Sequence, residues 1–244
     1  MVQFALPDPL ALHIPTSLID LSKAKKGMVL VTGPAGSGKS TTLACMIDQI
    51  NRNRNTHIIT IEDPIEYLHS HQKSIVSQRE VYHDTLDYVS ALRAALREAP
   101  EVILVGEMRD LETIETVITA AETGHLILSS LHTVGVANTI DRIIDVFPST
   151  QQQQIRVQLS MVLNAVVSQQ LLPSVDGKMI PVFEVMICNQ AIRTLIREGK
   201  THQIDNVIAS QKQAGMITMD DAIVELYKQG KISQETALMY ASHP

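Results

Sequence analysis

The feature that most constrains this 244-residue chain is the stretch VTGPAGSGKSTTLA, Val31 to Ala44. It follows an apolar run and precedes a helical pattern, so the chain must pass from a buried strand through a glycine-rich turn into a helix. Gly33-Pro34-Ala35-Gly36-Ser37-Gly38-Lys39-Ser40 fits G-x-x-x-x-G-K-[ST] in full, with Thr41 next. Each part has a physical reason. Glycines let backbone N–H groups turn inward toward anionic oxygens, and the helix that begins near Lys39 adds the positive end of its dipole. Lys39 is placed to reach the β- and γ-phosphates of a nucleotide, and the Ser40 hydroxyl to ligate Mg²⁺.

The rest of the chain agrees with a parallel sheet covered by helices on both faces, an α/β fold. Strands are predicted at Met28 to Thr32, His57 to Glu62, Val102 to Gly106, Leu126 to Ser130 and Val182 to Ile187, and helices at 39–53, 85–98, 111–122 and 150–170. In DTLDYVSALRAALREAP, Leu86, Val89, Leu92 and Leu96 fall at helical spacing, and Pro100 closes the run. Gly124 stands where a helix would end. Before the first strand, residues 1–26 carry Pro7, Pro9 and Pro15 and then SLIDLSKAKK, a lead-in segment. The expected core spans 27–188. From Asn189 onward β character disappears, and short helices punctuated by Gly199, Gly215 and Gly230, with Thr218 and Ser233 as N-caps, form a helical appendage over 189–244.

With 45% hydrophobic and 19% charged residues, the composition is that of a globular protein without an apolar run long enough for a bilayer. No basic leader follows the first residues, so the expected location is cytoplasmic. A net charge of −6 and the lack of Trp argue against a chain that grips nucleic acid. Cys45 and Cys188 lack the paired spacing of a zinc site and read as buried, reduced packing residues.

Ligands of parallel sheets collect beyond the carboxyl ends of the strands, and three strands end in chemically capable residues. IITIEDPIEY delivers Glu62, Asp63 and Glu66; VILVGEMRD delivers Glu107 and Arg109; HLILSSLHT delivers His132. Gly106 occupies the position where an Mg²⁺-holding Asp is usual, so Glu107 is the candidate for polarising an attacking water. Glu62, Asp63 or Glu66 would then supply the missing carboxylate, with helix capping at Pro64 or surface ion pairing as the alternatives. His125 and His132 flank the fourth predicted strand, and His132, at its end, is the candidate γ-phosphate sensor. Arg79, Arg93, Arg97 and Arg109 are candidates for a transition-state arginine, including one supplied by a neighbouring subunit.

Together these blocks resemble the secretion and pilus motor ATPases, most closely the pilus-retraction type. The matching pieces are VTGPAGSGKSTTLA as Walker A, HIITIEDPIEYLH as the Asp box, VILVGEMRDLETIE as an atypical Walker B and GHLILSSLHT as the His box. AIRTLIREGK is similar to the C-terminal segment that marks retraction ATPases, and the chain lacks the four cysteines of the zinc module found in the assembly relatives. The resemblance implies a RecA-like P-loop NTPase core with a mostly parallel sheet, and a homohexameric ring with ATP and Mg²⁺ at the subunit junctions. It implies Glu107 as the hydrolytic base, Glu66 and the neighbouring Asp-box acids as Mg²⁺ or water contacts, and His132 and His125 as nucleotide sensors. It also implies an inner-membrane pilus platform protein as partner and no role for nucleic acid or zinc. Family members usually carry a PAS-like domain ahead of this core; here Met1 lies a short way before the first strand. Ala35 stands where Thr is common, and Tyr82-His83 where a glycine is frequent. An extension or secretion ATPase, a nucleic-acid-translocating NTPase and a nucleotide-binding module without turnover are the competing readings.

Overall fold

The computed structural model describes residues 5–241. The first four residues of the lead-in segment and the last three of the chain lie outside the described residues. The elements run α1 (Thr16–Asp20), β1 (Gly27–Thr32), α2 (Lys39–Asn53), β2 (His57–Glu62), β3 (Ile75–Glu80), α3 (Tyr88–Ala95), β4 (Val102–Val105), α4 (Leu111–Glu122) and β5 (Leu126–Leu131). Then come α5 (Val136–Asp145), α6 (Ser149–Val162), β6 (Leu163–Pro173), β7 (Met179–Ile187), α7 (Gln190–Glu198), α8 (Ile204–Ser210), α9 (Met219–Lys228) and α10 (Gln234–Tyr240). The strands form one seven-stranded sheet in the order β3-β2-β4-β5-β1-β6-β7. All neighbours pair in parallel except β6 and β7, which form an antiparallel hairpin at one edge.

The central strands are buried on both faces, so their near-continuous apolar runs sort by parity. Met28, Leu30, Ile59, Ile61, Ile103 and Val105 join the core under α3 to α8, whereas Val29, Val31, Ile58, Val102 and Leu104 pack against α1 and α2 on the other side. Truncating a wholly buried member such as Ile59 to Ala should cost about 3 kcal/mol from lost transfer and the cavity left behind. The helices after β7 are not loose: Ile192, Ile196, Ile204 and Ile208 belong to the same core as the central strands. A smaller cluster joins Leu172, Ile180 and Val182 of the hairpin to Met219, Ile223 and Ile232.

The predicted strands and the helices at 39–53 and 111–122 are present, with corrections elsewhere. The helix expected over 150–170 ends at Val162, and β6 starts at the next residue with no Gly or Pro to mark the change. β3 escaped prediction because SQRE is polar, as suits an edge strand; α5 escaped as well. The helix expected over 85–98 is confined to Tyr88–Ala95 because Asp87 caps it by accepting from Ser90 N–H at 2.7 Å. Leu86, counted on its apolar face, precedes that cap and is 80% exposed. Thr218 and Ser233 do cap α9 and α10. Tyr82 has φ +67°, a backbone region in which glycine is favoured over any residue with a Cβ. Both cysteines are buried and free, and burial pushes their thiols up to about 12 for Cys45 and about 11 for Cys188, which keeps them unreactive.

Candidate active site

The phosphate loop leaves β1 at Thr32 and enters α2 at Lys39. Two of its glycines are dictated by geometry. A Cβ at Gly33 would lie 2.1 Å from the Gln169 carbonyl oxygen, and Gly38 opens α2 in the left-handed region with φ 90°. Gln169 of β6 braces the turn from below, donating to Ser37 O at 2.7 Å and accepting from Thr42 Oγ1 at 2.8 Å. Motif reading gave no role to Gln169. Its only signal is a polar run, Ser168-Gln169-Gln170, set between the apolar stretches Ala165–Val167 and Leu171–Leu172.

Lys39 is buried at the mouth of this loop, where Nζ donates to the carbonyls of Gly33 at 3.0 Å and Pro34 at 2.9 Å and lies 3.5 Å from His132 Nδ1. Burial lowers its pKa, and the negative charges of Glu107 and Glu66 oppose that shift. Its closest partners are the neutral carbonyls of its own loop, so the ammonium can exchange them for the charged oxygens of a phosphate. Ser40 Oγ donates to Glu66 Oε1 at 2.8 Å, and Thr41 Oγ1 lies 2.9 Å from the Tyr67 hydroxyl.

The strand ends supply the rest. His132 Nε2 is 3.2 Å from Glu107 Oε1, while Glu107 Oε2 accepts from Arg109 Nε at 2.7 Å. Arg109 also stands 3.8 Å from Asp63, and its bond to Glu107 raises its pKa. A chain of contacts thus runs Lys39–His132–Glu107–Arg109–Asp63 across the carboxyl ends of β5, β4 and β2. Glu62 is held by Thr60 at 2.7 Å and Gln78 at 3.2 Å, and burial pushes its carboxyl pKa up. No helix forms at Pro64, so these acids are not helix caps. Gly106 stands where an Asp is usual and fits closely: a Cβ there would stand 3.2 Å from both the Tyr88 hydroxyl and the Ile61 carbonyl, which would have to yield by a few tenths of an ångström. Tyr67, His69 and Tyr88 also line this cleft of about 240 Å³, and none was foreseen.

Other predicted residues lie elsewhere. His125 sits before β5 with Nδ1 2.9 Å from Ala120 O, roughly 20 Å from His132 along the strand. Arg79 pairs with Glu98, Arg93 with Glu112 at 3.0 Å, and Arg97 is exposed in the turn after α3. Arg93 does line a groove shared with Asp63, Tyr88 and Arg109, next to the cleft. A second, larger hollow of about 640 Å³ opens on the other side of the phosphate loop, from Gly38 and Thr41 past Gln169 to Leu12, Ile14, Leu171, Met179 and Ile180. No helix among the described residues is long and apolar enough to cross a membrane.

Residues 16–238 match the family described as type II/IV secretion system protein. A twitching motility protein of Neisseria gonorrhoeae is 51% identical over 227 residues, covering 93% of this chain and 61% of that protein. The "type IV pilus retractation ATPase PilT" of Pseudomonas aeruginosa is 50% identical over 224 residues, covering 92% of this chain and 65% of its own length. This chain therefore spans less than two thirds of these relatives. A crystal structure of the pilus retraction motor PilT with bound ADP superposes with a TM-score of 0.94 at 50% identity, covering 100% of this chain and 69% of the other.

Proposed function

The chain belongs to the type II/IV secretion system protein family, and on that premise we propose that it is the ATP-hydrolysing core of a ring-shaped motor that powers retraction of type IV pili. The observation that carries the reading is the contact chain from Lys39 through His132 to Glu107, set beside a complete phosphate loop at the carboxyl ends of a parallel sheet. The N. gonorrhoeae and P. aeruginosa relatives, named for twitching motility and pilus retraction, favour retraction over extension or secretion.

The residues present fit a nucleotide with its metal. The apolar hollow suits a base and ribose, and the polar cleft suits the phosphates. Ser40 and Glu66 offer the adjacent hard oxygens that Mg²⁺ prefers, and the ion would neutralise charge on the phosphate oxygens. Lys39 exchanges its loop carbonyls for phosphate oxygens. Glu107 orients a water and takes its proton as that water's oxygen attacks the γ-phosphorus and the bond to ADP breaks. His132, touching both Lys39 and Glu107, senses whether the γ-phosphate is in place. Arg109 releases Glu107 for this work and becomes one of four candidates, with Arg79, Arg93 and Arg97, for the arginine that neutralises the transition state, in its own or a neighbouring copy. His125, remote from the cleft, would act only through β5.

The motor acts as a homohexamer at the cytoplasmic face of the membrane through a pilus platform partner, with the core over 27–188 driving the helices over 189–244. Work is extracted because the ATP-bound and ADP-bound states favour different arrangements of adjoining copies. Glu107→Gln tests the chemistry: steady-state phosphate release should fall on the order of 10² to 10³-fold with nucleotide affinity kept, and unchanged release would remove Glu107 as base. Loss of the gene should leave cells hyperpiliated, whereas bald cells point to an extension motor.

A further inference from the structure

A buried polar network that the proposed chemistry does not use lies behind the His132 loop. Thr32 ends β1 immediately before Gly33, and its Oγ1 is 3.4 Å from Thr139 Oγ1. Thr139 Oγ1 donates to Gly135 O at 2.8 Å and lies 2.7 Å from Thr133 Oγ1, next to His132. The two amides that follow are taken by the β6–β7 hairpin. Gly135 N–H donates to Ser168 Oγ and Val136 N–H to Glu184 Oε2, each at 2.9 Å, and Ser168 and Glu184 are paired across the hairpin. Thr32, Thr139 and Ser168 are fully buried and Glu184 is only 6% exposed.

Glu184 also reaches the C-terminal helices. Its neighbour Val185 exchanges backbone hydrogen bonds with Ile217 at 2.9 and 3.1 Å, which sets the start of α9 beside it, and the Met219 amide favours the ionised form of the Glu184 carboxyl. The charged groups facing Glu184 are Asp205 from α8 and Asp220 from α9. Burial first, and then these like charges, push Glu184 up to about 7. A carboxyl kept in such a place is costly unless its oxygens are used.

We propose that Glu184 is a positioning residue that couples the nucleotide cleft to the C-terminal helices, its carboxylate joining the first amide of α5, four residues past His132, to the first turn of α9. This rests on the cleft being a nucleotide site. A shift at the His132 end of β5 drags Val136, and through Glu184 it drags α9. The ionised carboxylate can accept on both oxygens at once. Protonation turns one of them into a donor, and a link is lost.

Hydrogen–deuterium exchange on the whole chain, with and without a nonhydrolysable ATP analogue and Mg²⁺, reads this directly. At about pH 8 the analogue should slow exchange in the unaltered chain both at 132–140 and at 216–223. Glu184→Gln, which mimics the protonated acid, should keep the response at 132–140 and analogue affinity within about twofold, but lose the response at 216–223. At about pH 6 the unaltered chain should resemble Glu184→Gln, while the variant itself stays flat between the two conditions. An undiminished response at 216–223 in Glu184→Gln, or the same pH dependence in both proteins, overturns the coupling. Ser168→Ala, which removes only the adjacent link, should weaken the 216–223 response even where Glu184→Gln melts without a cooperative transition, and no weakening there counts against the network. Analogue binding without any response at 216–223 overturns the coupling alone; absence of binding to the unaltered chain overturns the nucleotide reading beneath it.

Discussion

Two hollows meet at the first turn of α2, and they differ in kind. Lys39 and Ser40 face a cleft of about 240 Å³ walled by Glu62, Asp63, Glu66, Glu107, Arg109 and His132. Gly38 and Thr41 border a hollow of about 640 Å³ whose walls include Leu12, Ile14, Leu171, Met179 and Ile180. Successive helical residues point about 100° apart, so one turn of helix serves both sides. The smaller cleft gathers charge from strand ends far apart in sequence. The larger one is assembled from the lead-in segment and the edge hairpin, neither of which carries a motif. Their difference suits a ligand that is anionic at one end and flat and apolar at the other.

Lys39→Ala is the severest way to break this contrast, because it strips the polar cleft of its buried cation. ATP turnover should fall on the order of 10³-fold or more with nucleotide affinity sharply weakened, as read by phosphate release and calorimetry. Unchanged binding and turnover would end the motor interpretation.

A smaller effect should separate the two ends of β5. His132→Ala should lower kcat about tenfold or more through loss of its contacts to Lys39 and Glu107, whereas His125→Ala, whose ring contacts Ala120 O in the last turn of α4 and Thr123 just beyond it, should change kcat less than about twofold. Equal losses would mean that β5 transmits more than its local contacts suggest.

The apolar hollow should respond in KM instead. Met179 is 55% exposed on its rim, so Met179→Glu leaves the core intact and places a carboxylate beside the proposed base site. KM for ATP should rise about fivefold with kcat little changed, about 1 kcal/mol of lost binding. A kcat effect with constant KM would deny the hollow its role.

The pH dependence of stability comes last. Native Glu184 holds its proton to about 7, while the unfolded chain releases it near the ordinary glutamate value of 4.5. The folded state therefore binds more protons across that window, and stability from this group is complete below it and declines as pH rises through it. Denaturant melts of Glu184→Gln should lack this decline, a difference from the unaltered chain of at most about 3 kcal/mol by pH 8. Parallel pH curves would show that the group titrates normally.

The two hollows also show how far the sequence could be read. The phosphate loop, the strand-end acids and His132 were legible because they sit in short contiguous motifs with a strand before and a helix or loop after. Central strands such as β2 announced themselves by unbroken β-branched runs. Leu86 failed because helical spacing was counted past the Asp87 cap, and the α6–β6 junction failed because apolar residues continue through it without a breaker. β3 carried too little apolar pattern to be seen.

By itself the sequence determined a strand–loop–helix that must cradle an anion, and the acids and histidine available to act on it, since backbone conformation and local periodicity are encoded residue by residue. Only the tertiary structure decided that His132 bridges Lys39 and Glu107 while His125 faces the opposite end of the strand, and that Gln169 braces the loop. Only it placed Glu184 between α5 and α9. Those contacts join residues separated by up to 132 positions, and the pairing of strands in one sheet, not local preference, brings them together.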